Sequence, residues 1–490
     1  MSYEEKHIGS DNSEKEVVQE VEHVDTRISD VSMTQDDAAE AKLRRKLDLH
    51  LLPYLWMMYF FASADRANVS VALTMNREQH HDLLSTAQLT PQQAALGVAV
   101  FYISYTCFEI PSNWIMTKVS PSKWLARICI TWGAVCCAMA AINNAATFYA
   151  LRFLLGLAEA GLWPGMALYL TKFYRKREIT GRIGTYYFAA HTASIIGNFV
   201  SAAVQLIDGK GNLYGYKWLF VIFGVATVLG GIVVYIVLPD SPEKAKWLTE
   251  EEKALARYRV ESEKQGLVHP GLKEIGVQLK HYETYLFGVL YLCPVVTSTA
   301  GQYYIPTLIS QMGGGQFTSI QVSLLAIPAG VVGAITAIIV PRIADRFRLR
   351  SIPISLFFLI TIVGFITLSF AGPTGGKYFG ILVAGFGQGP LVPIVIGWAA
   401  NTADGEKAVA ARTANASTIA QFGVIFGTFL LYAGWPGDAP LYIKSNMVCA
   451  GLCGLGILCT LILRFTFQHL NRVIERDGET KEGVRMKYLL

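Results

Sequence analysis

Long apolar runs, each close to the length of a bilayer crossing, recur along this chain between short polar connections. They fall at about 50–73, 93–114, 125–143, 147–170, 183–206 and 217–238. After a polar break they resume at about 284–309, 319–340, 352–371, 377–399, 410–433 and 444–467. A crossing helix needs roughly 20 residues. The pattern therefore predicts an all-α membrane protein with twelve transmembrane helices in two six-helix halves. The expected division is a polar, acidic, disordered tail at 1–46, a first half at 47–238, a linker at 239–283, a second half at 284–468 and a tail at 469–490.

Basic residues order the loops. Lys42, Arg44, Arg45, Lys46, Lys118, Lys123, Arg127, Lys172, Arg175, Lys176, Arg177, Arg182, Arg342, Arg346, Arg348, Arg350, Lys407 and Arg412 occupy one set. The alternate loops hold only Arg77, Lys210, Lys217, Lys377 and Lys444. The positive-inside rule then places both termini and the linker in the cytoplasm. The linker opens with Pro239-Asp-Ser-Pro242, a helix-start signal, and is expected to form one or two surface helices.

Composition agrees with this reading. The chain is 52% hydrophobic and 16% charged, against roughly a quarter charged for soluble proteins. The net charge of +5 sits in short loops, so it does not indicate nucleic acid. Eight cysteines lie in apolar runs without metal-ligand spacing and read as small buried hydrophobes. No signal peptide is legible at the start, and no nucleophile–base or metal constellation suggests an enzyme or a cofactor.

Against that apolar background a few charges stand out. Arg152 and Glu159 are two turns apart within one predicted span, so they share a face. Asp65 and Arg66 lie inside the first span; adjacent residues point about 100° apart, so they need not pair. Ionisable groups at membrane depth are costly and usually face a cavity or a partner. Arginine stays protonated and can grip a carboxylate with two parallel hydrogen bonds, whereas a desolvated carboxylate can exchange protons. Asp65 and Glu159 are the candidate proton-coupling residues, and Arg66 and Arg152 the candidate anion-binding ones. For each there is a plainer role: structural ion pair or helix-packing contact for Arg66, Asp65 and Glu159, snorkelling to the interface for Arg152. Glu109 reads as a gate or an anchor for Lys118 or Arg127, and His191 as a hydrogen-bonded structural residue rather than a relay.

Two six-span halves with a long central loop resemble the major facilitator superfamily. Arg342-Ile-Ala-Asp345-Arg346-Phe-Arg348 resembles its loop signature, with Pro341 in the glycine position. Several segments resemble more narrowly its anion:cation symporter branch, in particular fungal allantoate permease-like transporters. They are Leu47 to Pro53 with Asp65-Arg-Ala-Asn68, Glu109-Ile-Pro-Ser-Asn113, Lys123-Trp-Leu-Ala-Arg127, Arg152 to Gly165, Lys176-Arg-Glu178, Leu238 to Glu243, Trp247 to Glu252 and Asp438 to Tyr442. The resemblance implies proton-linked uptake of a small organic anion across the plasma membrane, such as a vitamin or allantoate. It implies that Arg66 meets the anionic group and that Gln302 and Asn415 give polar contacts from the second half. The expected partners are that anion, protons and the bilayer, with a functional monomer. The rivals are an efflux or facilitative transporter of the same fold, and a nutrient sensor that binds without transporting.

Overall fold

The computed structural model describes residues 11–264, 280–312, 317–347, 349–402, 406–440 and 442–477. Among these the secondary structure is helical, with no strand. The first half comprises α1 (Asp11–Ala72), the short α2 (Leu83–Thr86), α3 (Pro91–Lys118), α4 (Pro121–Ala138), α5 (Ala145–Glu159), α6 (Leu162–Leu170), α7 (Lys176–Tyr187), α8 (Ala189–Gln205) and α9 (Gly215–Val237). The linker contributes α10 (Glu250–Lys264). The second half comprises α11 (Tyr282–Met312), α12 (Ser319–Arg346), α13 (Ser351–Phe370), α14 (Thr374–Gln388), α15 (Leu391–Asn401), α16 (Glu406–Ile425) and α17 (Ile443–Asp477).

Each predicted apolar run falls on one of these helices or on a closely broken pair. Among the described residues eight of these helices or broken pairs are long and apolar enough to cross a membrane by length and composition. The other four runs lie on α1, α3, α7–α8 and α16, which carry Asp65, Arg66, Glu109, His191 and Asn415. These helices are diluted by the polar groups that give them interest.

Two helices are interrupted in matching places. The fourth run breaks after Glu159, where Gly161 has φ +88° and a Cβ would collide with Ser112. Only glycine adopts that conformation freely. The tenth run breaks at Gly389–Pro390, between α14 and α15. Within the first half α4 packs on α9 and α3 on α5; within the second, α13 packs on α14 and α17, and α11 on α16. Among the described residues the pairings across the halves include α8 with α12, α1 with α11, and α3 with α16 and the Phe426–Leu430 turn that follows it.

The expected tail boundary shifts. Backbone is helical from the first described residue, Asp11, and the part from residue 38 to 46 is packed: Leu43 is buried, and Glu40 pairs with Arg175 at 2.9 Å. The segment is rich in Glu, Lys and Ala, which favour helix, and its acids meet basic loop residues. Residues 1–10 and 478–490 lie outside the described residues, as does Asp345's side chain.

The linker helix α10 is clamped to the first half. Lys46 contacts Glu252 at 2.6 Å, and His50 stacks on Trp247 at 4.3 Å. Arg259, fully buried, meets Glu178 and Glu40. Below, "linker end" denotes the end of the bundle carrying α10; the "far end" carries the loops around residues 73–90 and 206–214.

Candidate functional site

The α5 break sets the site's geometry. An Asn144–Thr147 capping box starts α5, and the helix ends on Glu159. Unpaired carbonyls at a helix C-terminus favour a nearby cation. Arg66 of α1 supplies one: its Nη2 donates to Glu159 Oε1. Glu159 is fully buried, whereas the Arg66 side chain retains 18% exposure. The pair therefore has one sealed partner and one that reaches open space. Among the described residues Glu159 Oε2 has no hydrogen-bond partner.

Arg152 joins the same cluster. It is fully buried, so it does not snorkel, and its Nε donates to the Gly97 carbonyl at 3.2 Å. Among the described residues its Nη1 and Nη2 have no hydrogen-bond partner. Its guanidinium lies 4.6 Å from the Phe101 ring centroid, and that of Arg66 lies 5.7 Å from the same ring and 5.3 Å from Tyr105. Cation–π contacts lower the cost of holding guanidinium away from water. The Arg66–Glu159–Arg152 cluster thus contains two cations and one carboxylate.

Asp65 points elsewhere, as its offset from Arg66 predicts. It accepts from Trp132 Nε1 at 2.8 Å, Cys136 Sγ at 3.4 Å and Thr227 Oγ1 at 3.4 Å. These donors come from α4 and α9. Three donors on one carboxylate tie α1 to the α4–α9 pair, and Asp65 is 1% exposed.

Aromatic layers lie on both sides of Arg66. Toward the far end, the Tyr102 and Tyr303 hydroxyls are 3.2 Å apart, and Ser70 donates to the Tyr303 carbonyl. Both contacts join the two halves. Toward the linker end, Tyr59 packs on Trp163, Tyr186 and Tyr187, with ring centroids 5.1–5.9 Å apart. Further contacts seal the halves at the far end. Glu78 accepts from Ser319 N at 2.7 Å and from its hydroxyl at 2.8 Å, while Gln205 donates to Ser323 at 3.1 Å.

The substrate contacts expected from the second half, Gln302 and Asn415, lie on α11 and α16. Gln302 is exposed, and its neighbour Tyr303 makes the inter-half contacts. Asn415 is half-buried with an unpartnered Nδ2, on the helix that packs against α3. Gln388 ends α14 as Glu159 ends α5, and its Nε2 donates to the Thr297 carbonyl at 3.4 Å. Glu109 lies within electrostatic reach of Arg66. Its expected partners are engaged elsewhere, Lys118 over Trp114 and Arg127 over Trp124. His191 lies near Gly333 of α12, at the seam between halves. The Tyr102–Tyr303 pairing and the donors around Asp65 were not legible, since nothing in the spacing links residues so far apart.

The helical fold and this buried charged centre define a membrane transporter rather than an enzyme. The profile of the Major Facilitator Superfamily matches residues 55–428, and the chain belongs to that family. It is 35% identical to Vitamin H transporter 1 of Schizosaccharomyces pombe over 452 residues, covering 85% of this chain and 78% of that protein. It is 34% identical to a quinolone resistance transporter of Acinetobacter baumannii over 319 residues, covering 64% and 70%. Its fold is similar to that of the xylose transporter XylE from E. coli in a partially occluded inward open conformation. The TM-score is 0.63 at 12% identity, covering 90% of this chain and 100% of that one.

Proposed function

We propose that the chain is a proton-coupled importer of a small organic carboxylate, of the anion:cation symporter branch and allantoate permease-like. The observation that supports this reading is a pair of arginines at membrane depth: Arg66 contacts Glu159 but stays partly exposed, and among the described residues Arg152 Nη1 and Nη2 have no hydrogen-bond partner. Buried guanidinium donors without a full set of partners favour an anionic ligand. Vitamin H, biotin, is itself a monocarboxylate, which agrees with the relative's name.

The pair also supplies a coupling logic. While Glu159 is ionised, it holds Arg66. When Glu159 takes a proton, Arg66 is released and its fork can bind the substrate carboxylate. One proton and one monoanion then cross together without net charge. Membrane potential, which would oppose an anion by about 2.3 kcal/mol per 100 mV, no longer does so. After the anion leaves, Arg66 returns to Glu159 and expels the proton. Asn415 and Gln302 orient the substrate's neutral part from the second half, and Arg152 maintains the positive potential. Asp65, held by three donors, is the second proton-coupling candidate.

In this reading both termini and α10 are cytoplasmic, the membrane is the plasma membrane and the monomer is the transport unit. A Lys246→Cys variant in a Cys107→Ser background tests orientation: an impermeant thiol reagent should leave intact cells unlabelled, and labelling reverses the topology. Function is tested in vesicles containing only this protein. Radiolabelled biotin, allantoate and nicotinate should each be offered with an inward proton gradient, and concentrative uptake of at least one is expected. The resistance-transporter relative favours export as the second reading, which predicts proton-driven movement in the opposite direction. Binding with no flux in either direction identifies a sensor.

A further inference from the structure

A cavity of about 360 Å³ lies at the far end, between the halves. Tyr303 is common to its wall and to the Tyr102–Tyr303 contact, which separates it from the Arg66 cluster. The first half gives it Leu73, Val98 and Arg77; the second gives Tyr304, Gln311 and Tyr432.

The tyrosines present ring faces more than hydroxyls. Tyr304 donates its hydroxyl to the Thr428 carbonyl at 2.9 Å, and Tyr432 to Asn446 at 2.9 Å. Their rings stack on one another at 4.7 Å. Arg77 and Gln311 add polar functions to the wall, beside Gln92, Thr307 and Tyr442. Arg77 is exposed, and among the described residues its guanidinium has no ion-pair partner. Among the described residues Gln311 Oε1 is buried without a hydrogen-bond partner, while the side chain interacts with Tyr442. The lining is thus mostly apolar and aromatic, with a few polar groups and one cation, Arg77, the pattern of a ligand pocket.

We propose that this cavity is a second binding site, which takes an amphipathic monocarboxylate before it reaches Arg66. The carboxylate pairs with Arg77, the apolar body lies on the Tyr304–Tyr432 stack, and an N–H of the ligand donates to Gln311 Oε1. The site rests on the reading of the chain as an anion transporter. The class it admits is a carboxylate with an apolar body and an amide- or urea-type donor; a small hydroxylated dicarboxylate leaves the rings and the apolar wall uncovered.

Cysteine protection tests it. Thr307, on the cavity wall, becomes the reporter as Thr307→Cys in a Cys107→Ser background. Biotin is the probe and tartrate its counter-probe, with an impermeant methanethiosulfonate reagent acting on purified, reconstituted protein. At about nine times Kd, biotin should slow labelling about tenfold while tartrate does not. Protection should persist in the Arg66→Met/Glu159→Gln double variant, which removes both charges of the inner pair together. Arg77→Gln should raise the biotin concentration needed about tenfold, and Ala95→Trp, which fills the cavity, should remove protection. Unchanged melting temperature and a monodisperse profile establish that each variant folds. Three results overturn the site: no protection by biotin, protection lost with the Arg66 pair, or protection retained in Ala95→Trp. Biotin protection without uptake of any carboxylate leaves the site standing and removes the transport reading instead.

Discussion

Glu159 and Gln388 occupy matching places in the two halves: each is the last residue of a 15-residue helix that ends at a break in a membrane run. The first half places a carboxylate at this point and the second its neutral isostere. The carboxylate meets Arg66, whereas the amide donates to the Thr297 carbonyl. The same scaffold position thus carries titratable chemistry on one side alone.

Glu159→Gln makes the two positions chemically alike and mimics the protonated acid. Arg66 is then permanently available to an anion, so the variant should bind ligand and exchange it across the membrane. It should lose concentrative uptake driven by a proton gradient. Counterflow and gradient-driven uptake in the same vesicles separate these activities. Wild-type accumulation by Glu159→Gln would transfer the coupling role to Asp65, whose Asp65→Asn variant is the next test.

Arg66→Ala removes the partner of a sealed carboxylate. Losing one member of a buried pair costs about 3–5 kcal/mol when the other remains charged. The single variant should therefore melt well below wild type at neutral pH. Adding Glu159→Gln should recover most of the loss, because the carboxylate is then gone. Neither variant should show ligand-induced stabilisation from the inner site. Arg66→Lys should fold but bind poorly, since a point charge does not reproduce the planar fork. Differential scanning fluorimetry with and without ligand reads all three. Equal melting of single and double variants would show that Glu159 does not depend on Arg66.

How much of this was legible depended on the range of the interaction. Hydropathy and loop charge marked the apolar runs, because each depends on neighbours within one segment. The Asp65–Arg66 divergence followed from helical offset. The Arg66–Glu159 pair did not, since it joins residues 93 positions apart. Arg152 and Glu159 were legible as face-sharing residues, but the Phe101 ring that receives both guanidiniums was hidden among many apolar side chains. In the second half Gln302 and Asn415 were legible as polar groups on apolar helices, whereas the inter-half contact of Tyr303, one residue and about 100° from Gln302, was not. The packed part of the acidic tail escaped notice because its partners, Arg175 and Arg259, are remote in sequence.

Gly156 sets how closely α5 approaches α3. A Cβ there would overlap the Ser104 hydroxyl and the Phe101 carbonyl. Backbone cannot yield as a side chain can, so Gly156→Ala should force the helices apart and destabilise by about 1–3 kcal/mol. The displacement would also move Phe101, the ring beneath both arginines. Ligand affinity should therefore fall together with melting temperature. Gly181→Ala, where a Cβ meets nothing within 4 Å, is the matched control and should change neither.

The attachment of α10 should weaken in acid. Glu252 is held below the ordinary glutamate range first by the hydrogen bond from Lys46 and also by the Thr249 amide. For Asp240, burial pushes the carboxyl up, but hydrogen bonds from Ser122 and Lys244 outweigh it and hold the group below its usual value. A carboxylate with a depressed folded value stabilises above its unfolded pKa, about 4.3 for Glu and 3.9 for Asp. That contribution is lost as pH falls through the lower folded values. Hydrogen-exchange protection of Glu250–Lys264 should accordingly stay constant between about pH 7 and 5 and fall below about pH 4. Glu252→Gln should lower protection already at neutral pH and flatten the acid response. A wild-type loss of protection centred near pH 6 would show that these two carboxylates do not hold the helix.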